Sequence, residues 1–190
     1  MQRDFKTVFS GETAVKKYYY LIAGVLMIIS SFNVFAKEIP AKILYQIQAK
    51  FSDPKIIDEK KFNALNVMHL AVRGADHSDA FVIITPQDKV INIDDYAILS
   101  AINIKSASNF KALAGKNPAI DSLWPGNHQY PESVTLAGGI QQLQFTYSVL
   151  NGCHACAIGA IAKVGFNFDA EGNFLGTQLL ALSPPPVIAA

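Results

Sequence analysis

The chain opens on a polar, basic stretch and then becomes apolar. Arg3, Lys6, Lys16 and Lys17 precede residues 18–36, which carry no charge and are most apolar from Leu21 to Ile29. The run turns polar at Ser30, Ser31 and Asn33 and closes on Val34-Phe35-Ala36, which sets small residues at −3 and −1 of a cleavage point before Lys37. A basic start, an apolar centre and a small-residue end are the parts of a secretory signal peptide. The competing expectation is an uncleaved signal anchor. The uncharged run has 19 residues, which as a helix reach about 28 Å, close to the roughly 30 Å of a bilayer core. Its polar tail favours cleavage, whereas Asp4 and Glu12 in a long n-region count against it. Both alternatives place residues 37 onward outside the cytoplasm, either periplasmic or secreted, or anchored in the inner membrane and facing outward.

Beyond the leader the periodicity changes several times. Residues 39–51 predict a helix, with Pro40 in its first turn and Ile43, Leu44, Ile47 and Phe51 on one face. Ser52-Asp53-Pro54 stops it, and a charged stretch at 58–61 follows. Residues 66–72 and 80–85 predict strands, the second an uninterrupted apolar run of the kind buried on both faces. Between residues 90 and 115 the pattern favours a short strand, then a helix with Tyr96, Leu99 and Ile102 on one face, then a short helix ended by Gly115. Residues 116–139 read as a long connection punctuated by Pro118, Pro125 and Pro131. The last third alternates strictly. Leu143, Phe145, Tyr147 and Val149 interleave with Gln142, Gln144, Thr146 and Ser148, and residues 161–168 and 174–182 supply two more strands around a turn at 169–173. The predicted class is α+β: an antiparallel C-terminal meander packed against N-terminal and central helices. One domain is expected over residues 37–183, with a flexible tail at 184–190 after the triple proline.

Composition narrows the function classes. The 190 residues carry a formal net charge of +1. The leader holds four Lys/Arg and two Asp/Glu, so the remainder has a net charge of −1. That balance argues against a nucleic-acid partner held by bulk electrostatics. Only two cysteines occur, too few for a disulfide scaffold or an all-cysteine zinc site. No G-x-S-x-G, H-E-x-x-H, P-loop or dinucleotide fingerprint is present.

Both cysteines fall in Cys153-His154-Ala155-Cys156, between two predicted strands. In an oxidising compartment a Cys153–Cys156 disulfide is expected, a local staple giving about 2 kcal/mol from its four-residue ring. Two chemical alternatives use the same residues. A redox-active dithiol is one, because C-x-x-C with an internal histidine resembles the centre of disulfide oxidoreductases. The resemblance covers these four residues alone, and the following segment alternates like a strand instead of opening a helix. A metal site is the other, with Cys153, His154, Cys156 and His128, or His77, as N/S donors. Haem attachment would need His directly after the second cysteine, where Ala157 stands.

Two further stretches matter. Leu123 to Pro131 carries the only Trp, and Trp124, His128 and Tyr130 are candidate recognition residues, since Trp and Tyr dominate binding hot spots and prolines pre-order the segment. The alternative is that Trp124 folds back to cover the sheet. Asp76-His77-Ser78-Asp79 groups metal-donor side chains but reads as a polar hairpin loop, as does Asp169–Asn173. His69 lies within an apolar strand. The expected function is therefore non-catalytic: an exported binding or interaction protein for a protein or small-molecule ligand, with no cofactor, and membrane contact only through a retained leader. A thiol-disulfide or metal-dependent activity at the C-H-A-C motif is the alternative.

Overall fold

The structure is a computed structural model that describes residues 39–73, 79–125, 129–152 and 157–186. The described residues from Pro40 onward form one compact unit. The leader, His77, His128 and the C-H-A-C motif lie outside the described residues. Among the described residues no helix is long and apolar enough to cross a membrane.

The first strands build a four-stranded antiparallel sheet. Helix α1 (Ala41–Lys50) leads into β1 (Lys55–Phe62), β2 (Leu65–Ala71), β3 (Asp79–Ile84) and β4 (Val90–Asn92), which pair in that order. β3 is buried from Ala80 to Ile84, as its unbroken apolar run predicts. β1 is the outer edge, mostly exposed, with a bulge between Ile56 and Asp58 and a run of charges from Asp58 to Lys61. Bulges and edge charges discourage pairing with another chain. At the opposite edge α1 buries Ile43 and Ile47 beside β4. Gln46 there donates from Nε2 to the Asp88 carbonyl at 2.7 Å and accepts from the Val90 N–H at 3.1 Å, satisfying backbone groups near the edge strand.

The rest builds a second antiparallel sheet. Short helices α2 (Tyr96–Ser100) and α3 (Phe110–Ala114) lead to β5 (Ile120–Trp124) and β6 (Glu132–Thr135). Both pair with the long β7 (Gln141–Asn151), which continues through β8 (Ile158–Phe168) to β9 (Phe174–Ser183). The alternation of β7 has its predicted sense: Leu143, Phe145, Tyr147 and Val149 point into the core.

Those inward side chains meet the first sheet, and this corrects the expected class. The meander does not lie on N-terminal and central helices. Its inner face packs on Leu65, Val67, Phe81, Ile83, Ile91 and Ile93 in one shared core. Strands make up 48% of the described residues and helices 19%, in two sheets curled as a half-barrel. The helices are too short to cover a sheet, and α2 and α3 contribute only Leu99 and Leu113 to the centre of the core. Each fully buried Leu, Ile, Val or Phe contributes roughly 1.5–3 kcal/mol relative to exposure, so this seam dominates stability. Polar bonds tie the sheets as well: the buried Tyr147 hydroxyl donates to the Ile93 carbonyl at 2.8 Å, and the Gln141 side-chain amide donates to the Phe62 carbonyl at 2.8 Å.

The turns also bind the sheets together. Asp169 accepts the Asn173 N–H at 2.7 Å and its side-chain amide at 2.8 Å, which closes the β8–β9 turn and holds the Asp169 carboxyl below its ordinary range. In that turn Gly172 has φ 81°, and a Cβ there would stand 2.5 Å from Pro86 Cδ in the β3–β4 turn. Gln87 donates to the Glu171 carbonyl at 2.8 Å across the same junction.

Candidate functional site: a groove beside Trp124

The region read from sequence as a bare connection contains β5, and its irregularity makes the site. Ile120 pairs with Asn151 and Leu123 with Val149, so the register slips between them. The bulge breaks the alternation. Ile120 and Leu123 both enter the core, and Asp121 and Ser122 both face out. Re-aiming side chains in this way is a common use of bulges.

α2 lies beside β5. Asp95 caps it, accepting the Ala97 N–H at 3.0 Å, and buried Leu99 anchors it. Tyr96, expected on the apolar face with Leu99 and Ile102, is instead 85% exposed, because the helix has a single turn and cannot bury a full stripe. Between α2 and β5 runs a groove of about 510 Å³. Tyr96 and Trp124 form aromatic parts of its wall, and Leu99, Ile102, Leu123 and Pro125 supply further apolar surface. Asp94 and Asp121 bring carboxylates to the same groove, and Ser100 and Ser122 bring hydroxyls. The Ser122 hydroxyl donates to Asp121 Oδ1 at 2.9 Å. Among the described residues lining the groove there is no lysine or arginine. The neighbouring Asp95 lies 3.8 Å from the Lys50 ammonium.

Trp124 and Tyr130 do not share a cavity. Tyr130 packs against the core, edge-on to Phe81 at 5.3 Å, with the Lys60 ammonium 4.1 Å from its ring centre. Burial, followed by the negative charges of Asp58 and Glu59, pushes its phenol up to about 12. Tyr130 also borders a separate, more polar cavity of about 380 Å³ on the outer face of the second sheet, with Gln144, Thr146, Glu132 and Lys163, the last two joined by a 2.6 Å ion pair. His69 lies flat against Phe81, ring centres 4.5 Å apart, with Nε2 3.6 Å from Asp79 Oδ1.

Of the remaining candidates, Cys153, His154, Cys156, His128 and His77 lie outside the described residues. What flanks the cysteines is described. Leu150 pairs with Ile158, and the Asn151 N–H donates to the Ala157 carbonyl at 3.1 Å. The motif therefore connects two antiparallel strands whose ladder closes immediately before and after it. Segment 117–120 is fastened to the same place: Asn117 donates to the Gly159 carbonyl at 3.1 Å, and Asn151 accepts the Ala119 N–H at 3.0 Å. Among the described residues no group of three or more His, Cys, Asp or Glu gathers as metal ligands would. The residues that sequence reasoning missed are Asp94, Tyr96, Ser122 and Asp121, which no motif joins. No family model, no curated protein and no solved structure matches the chain.

Proposed function

We propose that this chain is an exported binding protein and that the groove between α2 and β5 is where its ligand sits. One observation carries this reading. Trp124 is half-buried on the groove wall, whereas its neighbour Leu123 enters the core and Tyr130 packs against the core's margin. A tryptophan kept for stability belongs with Leu123. One that lines an open groove opposite an exposed tyrosine offers rigid, amphipathic contact area at low entropic cost. The groove's volume lies within the roughly 300–1,000 Å³ of small-molecule sites, and its apolar walls with a few convergent polar groups match their usual chemistry. Export rests on the leader. The C-x-x-C motif serves as a staple between β7 and β8, a reading supported by the paired strands on both sides of it.

The experiment uses Trp124 as its own reporter, because the chain has one tryptophan. Indole emission is followed while a set of neutral, cationic and anionic fragments is titrated into the protein, and binders are re-tested by calorimetry on Trp124→Ala. Saturable emission changes, lost binding in the variant and a melting temperature within a few degrees of the parent support the groove. A large fall in melting temperature, with no fragment binding to the parent, assigns Trp124 to covering the sheet and ends the proposal.

A further inference from the structure

β7 leaves its ladder at an Asn-Gly pair. Leu150 makes its final pairing with β8, Asn151 ends the strand half-buried, and exposed Gly152 follows. Of the chain's asparagines only Asn151 precedes a glycine; elsewhere the next residue is larger. The backbone demands that glycine. Its φ is 99°, in the left-handed region, and an added Cβ would stand 3.3 Å from the Cβ of Ala119. Lacking a Cβ, Gly152 leaves its amide nitrogen unshielded next to the Asn151 side-chain amide. Attack of that nitrogen on Asn151 Cγ closes a five-membered ring, and the two groups are already held on one chain. The electrophile is held as well. Asn151 Oδ1 accepts the Ala119 N–H at 3.0 Å, at an exposed site, and the Asn151 N–H donates to the Ala157 carbonyl at 3.1 Å. The first bond sets a backbone donor on the oxygen where negative charge gathers when Cγ is attacked. Donors so placed stabilise the tetrahedral intermediates of acyl transfer.

We infer that Asn151 is a site of spontaneous modification in the folded protein, converted by water to aspartate and isoaspartate with Gly152 as the internal nucleophile. The Gly152 nitrogen gives its proton to solvent hydroxide and bonds to Cγ, while the Ala119 N–H holds the oxyanion. The Cγ–Nδ2 bond then breaks, and that nitrogen takes a proton from water and leaves as ammonia. One water opens the resulting succinimide. Opening at Cγ gives aspartate in the ordinary chain. Opening at the α-carbonyl routes the chain through the side chain and adds one backbone atom just before the C-H-A-C motif. Either product carries a carboxylate where the parent has a neutral amide. The aspartate product keeps an acceptor for the Ala119 N–H, and a stronger one, since it is charged.

The parent protein tests this. It is incubated at mildly alkaline pH, natively and in denaturant, and the peptide spanning Asn151 is followed by mass, with isoaspartate read by enzymatic methylation. Natively the peptide should gain the mass of an amide-to-acid exchange. Its rate should lie within about tenfold of that in denaturant, a barrier difference of about 1.4 kcal/mol. Asn63, exposed in the β1–β2 turn but followed by Ala64, should lag behind it in both conditions. Ala119→Pro deletes the donor and is expected to slow the native reaction several-fold while leaving the rate in denaturant unchanged. The comparison within the parent stands even if that variant misfolds. An unchanged native mass while the denatured chain reacts overturns the inference, because the fold then guards Asn151. A faster native reaction in Ala119→Pro makes the Ala119 bond a restraint and overturns its role as oxyanion donor.

Discussion

Replacing Tyr147 by Phe removes one oxygen from the seam between the two sheets. Tyr147 is 0% exposed, and its hydroxyl donates to the Ile93 carbonyl at 2.8 Å. Ile93 is itself fully buried beside the first sheet. The substitution leaves the ring in place and takes the hydroxyl bond from that carbonyl, away from water. Leaving a buried polar group without its partner costs about 1–3 kcal/mol, against about 0.5–1.5 for an average hydrogen bond in which water takes over. The expected loss is about 2 kcal/mol, which for a unit of this size lowers the melting temperature by about 4–8 °C. Urea unfolding followed by Trp124 emission measures it, with an unchanged m-value showing that the native state has kept its compactness. Tyr45→Phe is the control, since that ring is 74% exposed and its loss should stay within about 0.5 kcal/mol. If the two variants behave alike, the hydroxyl is in water, and the packing of the second sheet on the first is wrong.

Three further outcomes follow from the same geometry. Gly172→Ala should cost more than an ordinary surface change, because the residue has φ 81° and its Cβ would enter Pro86; thermal melting within about a degree of the parent would show the two turns are not in contact. Gly165→Ala should displace Gln142, whose side chain lies 2.7 Å from the added Cβ and bonds Asn167 and Gln144 at 2.8 Å each; the measure is a melting temperature restored by the smaller side chain of Gln142→Ala in the double variant. At alkaline pH the phenol of Tyr130 is raised from 10.0 to about 12, so its share of stability is intact below pH 10 and is lost as the pH climbs through 12; Tyr147, raised by burial, acts in the same direction. Tyr130→Phe should remove a late step from the tyrosinate absorbance titration, and an unchanged titration would place the ring in solvent.

How much of this the sequence discloses depends on how regular each strand is. β7 is legible because every second side chain of residues 143–149 is buried and the ladder to β8 is unbroken as far as Val149. β5 is not, because its bulge turns the period of two into a pattern with Ile120 and Leu123 inward and two polar residues between them. β6 is exposed at all four positions and β1 at most of its eight, so neither carries the inward-facing stripe that marks a strand. Without β1 the sequence offers only the pair 66–72 and 80–85 and a short strand after residue 90, too little sheet to face the meander, so its inner face is assigned to helices and the class to α+β. The groove follows the same logic. Trp124 is conspicuous for its residue type, but its partners Asp94 and Tyr96 stand on another element some thirty residues earlier. Only the apposition of α2 and β5 joins them.

Oxidation at the C-H-A-C motif is tested by thiol titration of the protein under denaturing conditions. No reactive thiol is expected before reduction and two after it, and Cys153→Ser with Cys156→Ser should lower stability by about 2 kcal/mol while sparing the groove. An acidic, rapidly alkylated thiol in the native protein would instead move the chemistry to the motif.

The most direct measurement is the indole N–H resonance of Trp124, a single peak because the chain holds one tryptophan. Titrating a fragment that changes Trp124 emission into isotope-labelled protein should move that peak saturably, together with the backbone amides of Tyr96 and Ser122, while the amide of Leu175 on the far strand β9 stays fixed. An indole peak that does not move, or that moves only in step with Leu175, would contradict a ligand groove beside Trp124.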